Sequence, residues 1–307
     1  MSVTLSGNIG DDIDVVLTSS IFERDTEYTY DYSSYVEYYS YAAYSYYVCN
    51  YYEYYGYYYI DTNDCRDPRM TYAQSNNIER SSTEVRISSN NESGFNWVLG
   101  AFQETNEKVT DVDYLQPGGS YASSGLSGTW WEADLDRKGE IQAIFGEAYI
   151  DIGDKTQLTV GFRNYDQDMD LTASNGYYGN MSFGITNEKF KSSESGTIPK
   201  VNIKHNISDD LMVYGTYSEG FRPSGVNRLR PSDPAPKTYD ADYLESLELG
   251  FKSTIGDGKL VMNGAFYSMD WKDYQTTTYD LSLVAVAFVD NVGNAEISGV
   301  ELNMVYA

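Results

Sequence analysis

The turns of this chain alternate in length, and that rhythm limits the possible folds more than any single residue does. Short turns rich in Gly, Asn, Asp and Ser fall at "NIGDDID" near Asp11, "SNNESG" near Asn91, "DIGDKT" near Gly153, "ISDD" near Asp209 and "TIGDGK" near Gly256. Tight hairpins take such residues. Between them lie long connections at 27–75, about 105–138, about 167–196, about 222–240 and about 275–290. The flanking segments alternate apolar and polar residues with a period of two, the mark of a strand with one apolar face. In "STEVRISS" Val85 and Ile87 oppose Glu84, Arg86 and Ser88. In "TQLTVGFRN" Leu158, Val160 and Phe162 oppose Gln157, Thr159 and Arg163. The runs "GFNWVLGAF", "PKVNIKHNI", "SLELGFKS" and "SGVELNMVY" repeat the pattern, while "KLVMNGAFYSMDW" mixes the faces. Eleven or twelve antiparallel strands are expected.

An all-β meander with short turns at one end and long loops at the other fits a transmembrane β-barrel better than a secreted sandwich or solenoid. The charges and amides of one face suit a wet lumen, and the Leu, Val, Ile, Phe and Trp of the other suit lipid. No run approaches the ~18 apolar residues of a membrane helix; the longest is Leu283 to Val289. The opening "MSVTLSGNIGDD" carries no basic segment followed by an apolar one, so no secretory signal is expected there. With 21 Lys and Arg against 46 Asp and Glu, the net charge is −25. That balance argues against nucleic acid, whose phosphates need clustered cations.

The stretch "LMVYGTYSEGFRPSGVNR", Leu211 to Arg228, resembles the barrel of TonB-dependent outer-membrane receptors, with an aromatic–Ser–x–Gly–Phe–Arg run followed by Gly and Asn. Residues 82–102, 143–168, 239–275 and 291–304 resemble further hairpins of that family, in the family's order. The likeness covers roughly residues 80–307. It implies a bacterial outer-membrane location, lipid around the barrel, a small-molecule or metal-chelate ligand, and energy from TonB through a plug domain. It implies transport rather than catalysis, and no cofactor. Nothing here resembles the plug or the TonB box, so residues 1–307 read as a partial barrel and an internal piece of one. Half a barrel has two unpaired edges that lipid cannot satisfy, and alone it makes no stable pore. A complete twelve-stranded barrel is the competing reading.

Between Tyr28 and Tyr59, 17 of 32 residues are tyrosine. The tract lies in the 27–75 connection, expected to be an extracellular loop. Tyrosine offers rigid aromatic area with a polar tip, which suits ligand contact. Tyr38, Tyr39, Tyr46, Tyr47, Tyr54 and Tyr55 are the contact candidates, against the plainer reading of a low-complexity loop packed on itself. Cys49 and Cys65, the chain's two cysteines, read either as a loop-closing disulfide or as two thiols. Arg222 in "GFRPSG" sits where a strand meets a long loop. It is read as a strand-end cap bonding loop carbonyls, or as a ligand contact.

"YDQDMD" places Asp166, Asp168 and Asp170 on one side of a strand, enough oxygen for a Ca²⁺ corner, though a solvated acidic turn explains it as well. "DLDRKGE" at 134–140 is faintly calcium-loop-like. His205, the one histidine, has no Ser, Cys or second His arranged with it, so acid–base catalysis has little support. Trp97, Trp130, Trp131 and Trp271 are candidates for an interfacial aromatic girdle. Two functions stand: a segment of an active receptor for a scarce bulky nutrient (a ferric siderophore, cofactor or oligosaccharide), or a non-transport surface β-protein with an adhesive Tyr-rich loop.

Overall fold

The computed structural model describes residues 1–33, 49–55, 57–65, 69–115, 129–177, 186–227, 235–280 and 286–306. Eleven strands form one antiparallel sheet: β1 (Ser2–Ile9), β2 (Ile13–Asp31), β5 (Thr71–Ser89), β6 (Phe95–Leu115), β7 (Thr129–Ile152), β8 (Thr156–Tyr177), β9 (Thr186–Ser208), β10 (Leu211–Arg222), β13 (Asp242–Ile255), β14 (Leu260–Lys272) and β17 (Ala295–Tyr306). Three small two-stranded sheets sit within the long connections. They are β3 (Cys49–Tyr54) with β4 (Tyr57–Cys65), β11 (Gly225–Val226) with β12 (Thr238–Tyr239), and β15 (Gln275–Asp280) with β16 (Val286–Asn291). Each main strand pairs with the next in the chain, so all five short turns fall at one end and all five long connections at the other. The turn chemistry is local: Gly153, Gly256 and Gly258 have φ 64°, 67° and 87°, values that glycine adopts without a Cβ clash, and Asp257 has φ 56°, which Asp tolerates.

Register fixes the two faces. Antiparallel partners point the same way. Trp97 pairs with Ala148, Ala148 with Val160, Val160 with Val201, and Phe266 with both Leu249 and Val300. Following the ladders, Val85, Trp97, Val160, Leu249 and Leu302 all share one face, as the alternation predicts. That face is open: Val160 is 43%, Leu249 54% and Leu302 61% exposed. A sandwich would bury these side chains between two sheets, so the exposure decides for a wall that faces lipid. The outward apolar positions run from Phe95 to Ala101 on β6 and from Leu247 to Ile255 on β13, a band of the kind a tilted membrane strand carries.

The opposite, inner face is polar and cross-linked. Lys200 Nζ donates to Glu147 Oε1 at 2.7 Å, and Asn202 Nδ2 to Thr216 Oγ1 at 2.7 Å. Toward the long-connection end it carries a small apolar cluster, in which Leu171, Ala173 and Val226 are buried against Leu135, Met169 and Phe190.

The sheet is open, with eleven strands and edges at β1 and β17, as the partial-barrel reading expects, and is not the competing closed twelve-stranded barrel. Two other sequence expectations are corrected. Much of what read as loop at 105–138 and 167–196 is strand, for β6 to β9 run 21, 24, 22 and 23 residues. Above the lipid the outer face meets water, so the ladder continues after the outward apolar residues stop. "DLDRKGE" accordingly lies inside β7, not in a calcium loop.

A charge on the lipid face should be costly. Leu249→Arg is expected to lower stability in bilayers by about 2–4 kcal/mol. Ser246→Arg, on the inner face of the same strand, is expected to change it little. Denaturant titration of the barrel in phospholipid vesicles reads both; equal effects would overturn the facing.

Candidate functional site

Beyond the Ser218–Lys200 pair, β10 parts from β9. The upper ends of β10 and β13 then lean across the inner face of β8 and β9. Phe221, in the outward parity of β10, stacks on Tyr165 of the inner face with ring centroids 4.0 Å apart. Tyr243 donates from its hydroxyl to Glu194 Oε1 at 2.5 Å, and Tyr165 donates to the same oxygen at 3.1 Å. The other Glu194 oxygen accepts the Ser224 amide at 3.1 Å. Next along, Gly225 lies under the Tyr239 ring, so closely that a Cβ there would overlap the phenol.

Arg222 fastens this bend. Its guanidinium donates to both oxygens of Asp242, with Nε at 3.1 and 3.0 Å and Nη2 closer still, and Nη2 also donates to the Gln275 carbonyl at 2.7 Å. It lies over the Trp271 and Tyr274 rings, at 4.8 and 5.3 Å. Asp242 also accepts the Gln275 amide at 2.9 Å, and its side chain is 1% exposed. The carboxyl stands above the apolar band, whose top on β13 is Leu247. Burial raises its pKa, but the bonds from Arg222 and Gln275 outweigh burial and hold it below the ordinary 3.8. Asn227 completes the fastening: Nδ2 donates to Val289 O at 2.7 Å, and Oδ1 accepts Val289 N–H at 2.8 Å. The described parts of the 223–241 and 273–294 connections are therefore fastened together.

Across the inner face, β2, β5 and β6 converge on tyrosines. Tyr28 and Tyr30 of β2, Tyr72 of β5 and Tyr114 of β6 share the inward parity. Tyr72 meets Tyr114 edge-on at 5.1 Å and Tyr30 in a stack at 5.9 Å, while Tyr32 meets Tyr114 at 5.2 Å. Below them runs a polar chain. The Tyr72 hydroxyl donates to Gln74, Gln74 Nε2 to Asn76 Oδ1 at 2.8 Å, and Thr110 Oγ1 to the same oxygen at 3.0 Å. This wall presents aromatic faces with hydroxyls and amides, the chemistry of a pocket for a bulky, partly polar ligand.

The nominated residues fare differently. Arg222 is the strand-end clamp, bonding a loop carbonyl as expected. Tyr38, Tyr39, Tyr46 and Tyr47 lie outside the described residues. Tyr54 and Tyr55 form the exposed tip of the β3–β4 hairpin, their rings 4.5 Å apart. Cys49 stands opposite Cys65 in the register of that hairpin. Asp166, Asp168 and Asp170 do face one way, but Asp170 pairs with Lys191 at 2.9 Å and Asp168 accepts Ser193 Oγ at 2.5 Å. Among the described residues no group of His, Cys, Asp and Glu could hold a metal. His205 faces outward and bonds Thr156 Oγ1 at 2.8 Å. Trp97 has the outward parity, whereas Trp271 faces inward under Arg222 and is no girdle residue; the side chains of Trp130 and Trp131 are outside the description. The Tyr72–Tyr114 meeting was missed, because only the β5–β6 register brings them together.

A family model described as "TonB dependent receptor-like, beta-barrel" matches residues 5–307. The chain belongs to the TonB-dependent receptor β-barrel family. Its place is therefore the bacterial outer membrane. The pesticin receptor of Yersinia enterocolitica is 23% identical over 205 residues, which are 67% of this chain and 28% of that protein. Two solved structures share the fold over 99% of the chain. The ferric yersiniabactin uptake receptor of Yersinia pestis has a TM-score of 0.71 at 17% identity, with 39% of its own length covered. The ferric-catecholate import receptor Fiu of Escherichia coli has a TM-score of 0.60 at 13% identity, with 44% covered. This TonB-dependent receptor barrel thus spans less than half the length of these relatives.

The clamp should be acid-labile. A depressed carboxylate pKa contributes stability that is present above pH 3.8 and lost as pH falls through the lower folded value. Asp242→Asn should therefore free the two joined connections at neutral pH, at a cost of about 1–3 kcal/mol. Hydrogen exchange should then quicken at 223–227 and 273–279 in the variant, as in the native protein below pH 3.8. Unchanged protection would sink the assignment.

Proposed function

We propose that this barrel segment works in an active receptor that takes up a bulky ferric chelate of the siderophore class, with energy from TonB delivered through a plug domain. The inward aromatic wall of Tyr28, Tyr30, Tyr72 and Tyr114 carries the reading. The relatives point the same way, being named for ferric yersiniabactin uptake and ferric-catecholate import. In this reading the long-connection end faces the outside, and residues 27–75 form an extracellular loop that reaches the ligand before the wall does. The remaining strands of a longer chain pair with β1 and β17, whose backbone groups lipid cannot satisfy. A second reading, an adhesive surface protein, draws on the Tyr54–Tyr55 tip, where Tyr55 is 85% exposed.

Uptake of radiolabelled iron chelates by cells carrying the full-length receptor separates the two. Transport that requires TonB and falls about tenfold or more in Tyr72→Ala with Tyr114→Ala is the expected result. Normal adhesion without uptake would favour the second reading. Removal of the hairpin Cys49–Cys65 should leave assembly intact and weaken chelate binding; unchanged affinity would make those tyrosines filler. We also propose that Cys49 and Cys65 are bridged, since opposite residues of an antiparallel pair lie within about 5.5 Å, inside disulfide range. Mass spectrometry of the unreduced protein should find the linked peptides, and alkylation of both thiols without reductant would exclude them.

A further inference from the structure

The inner face carries a row of cations that the clamp and the aromatic wall do not use. Arg137 of β7 stands directly opposite Lys108 of β6, Lys108 opposite Ile78 of β5, and Ile78 opposite Arg24 of β2. Like charges directly opposite one another destabilise a sheet. Here two cations face each other on the inner wall of a chain whose net charge is −25. None of the three makes a hydrogen bond or ion pair with the described residues, whereas neighbouring Arg80 is paired with Glu104 at 2.5 Å. The Arg137 Nε is moreover buried and without a hydrogen-bond partner. A buried guanidinium donor left unsatisfied is costly. The row lies seven positions above Ala101, the top of the apolar band on β6, and below the aromatic wall, with the Gln74–Asn76–Thr110 chain between them: Tyr28 is four residues above Arg24, and Tyr114 six above Lys108.

We infer that Arg24, Lys108 and Arg137 form an anion-binding subsite, and that the ligand of this receptor presents a multiply charged anionic face to them while its aromatic or apolar parts meet the tyrosines. This rests on the uptake reading and adds the charge class of the substrate. An anionic chelate would relieve the Lys108–Arg137 repulsion.

The test uses the purified full-length receptor and two ferric chelates of similar bulk, a trianionic tris-catecholate and a neutral tris-hydroxamate. The expected result is at least about tenfold tighter binding of the trianion, weakening as salt rises. That preference should vanish in Arg24→Gln, Lys108→Gln and Arg137→Gln, with far-ultraviolet circular dichroism unchanged. Citrate, an iron-free trianion, should bind the native protein in calorimetry and not the triple variant. Equal affinity for the two chelates, or variants that keep the preference, overturns the inference, and the cations then face the plug. Citrate binding that is lost in the variant, with no chelate uptake by cells, would sink the uptake reading and leave the anion subsite standing. Uptake of the neutral chelate alone would do the reverse.

Discussion

Lipid accepts no unpaired backbone N–H or C=O group, and everything else in this molecule follows from that demand. A strand can satisfy it only through neighbours, so each main strand is laddered to the next. The period-two alternation then sends one set of side chains to lipid and the other to the lumen. Val160 and Leu249 are exposed because there is no water for them to avoid. Lys200, Glu147, Asn202 and Thr216 bond one another on the far side because that side is wet.

The same demand explains what could be read from the residues alone. Wherever one face meets lipid, apolar and polar positions must alternate, so the parity of Val85, Trp97, Val160, Leu249 and Leu302 was legible, as were the hairpin turns. Above the lipid the constraint lapses. In the upper halves of β6 to β9 the outer face turns polar and the inner face mixes polar residues with the cluster around Leu171, so the outward apolar signal that marks a membrane strand is lost there. Trp271 was misplaced for a related reason: its segment, "KLVMNGAFYSMDW", has no clean alternation.

The candidate site was legible only in part. The clamp role of Arg222 could be inferred from its place before Pro223 and a long connection. Its partner Asp242 and its seat over Trp271 depend on the β10–β13 and β13–β14 registers. Tyr72 and Tyr114 are far apart in the chain and meet only because β5 and β6 are long and paired to their tips. Lys108 and Arg137 oppose one another for the same reason. Among the described residues, the inward tyrosines come from the first residues of the tyrosine-dense tract, Tyr28 and Tyr30, and from Tyr72 and Tyr114 outside it.

The meander has a consequence for how such a wall is made. Every ladder in the main sheet joins strands consecutive in that sheet's chain order, and no long crossover intervenes. The entropy of closing each new pair is small when the turn is a few residues long, and grows only slowly for the longer connections. The sheet can therefore grow by adding one hairpin at a time to an existing edge, with each added strand becoming the template for the next. The growing edge is the exposed one at every stage. Assembly of this wall is a problem of protecting a moving seam until its last partner arrives.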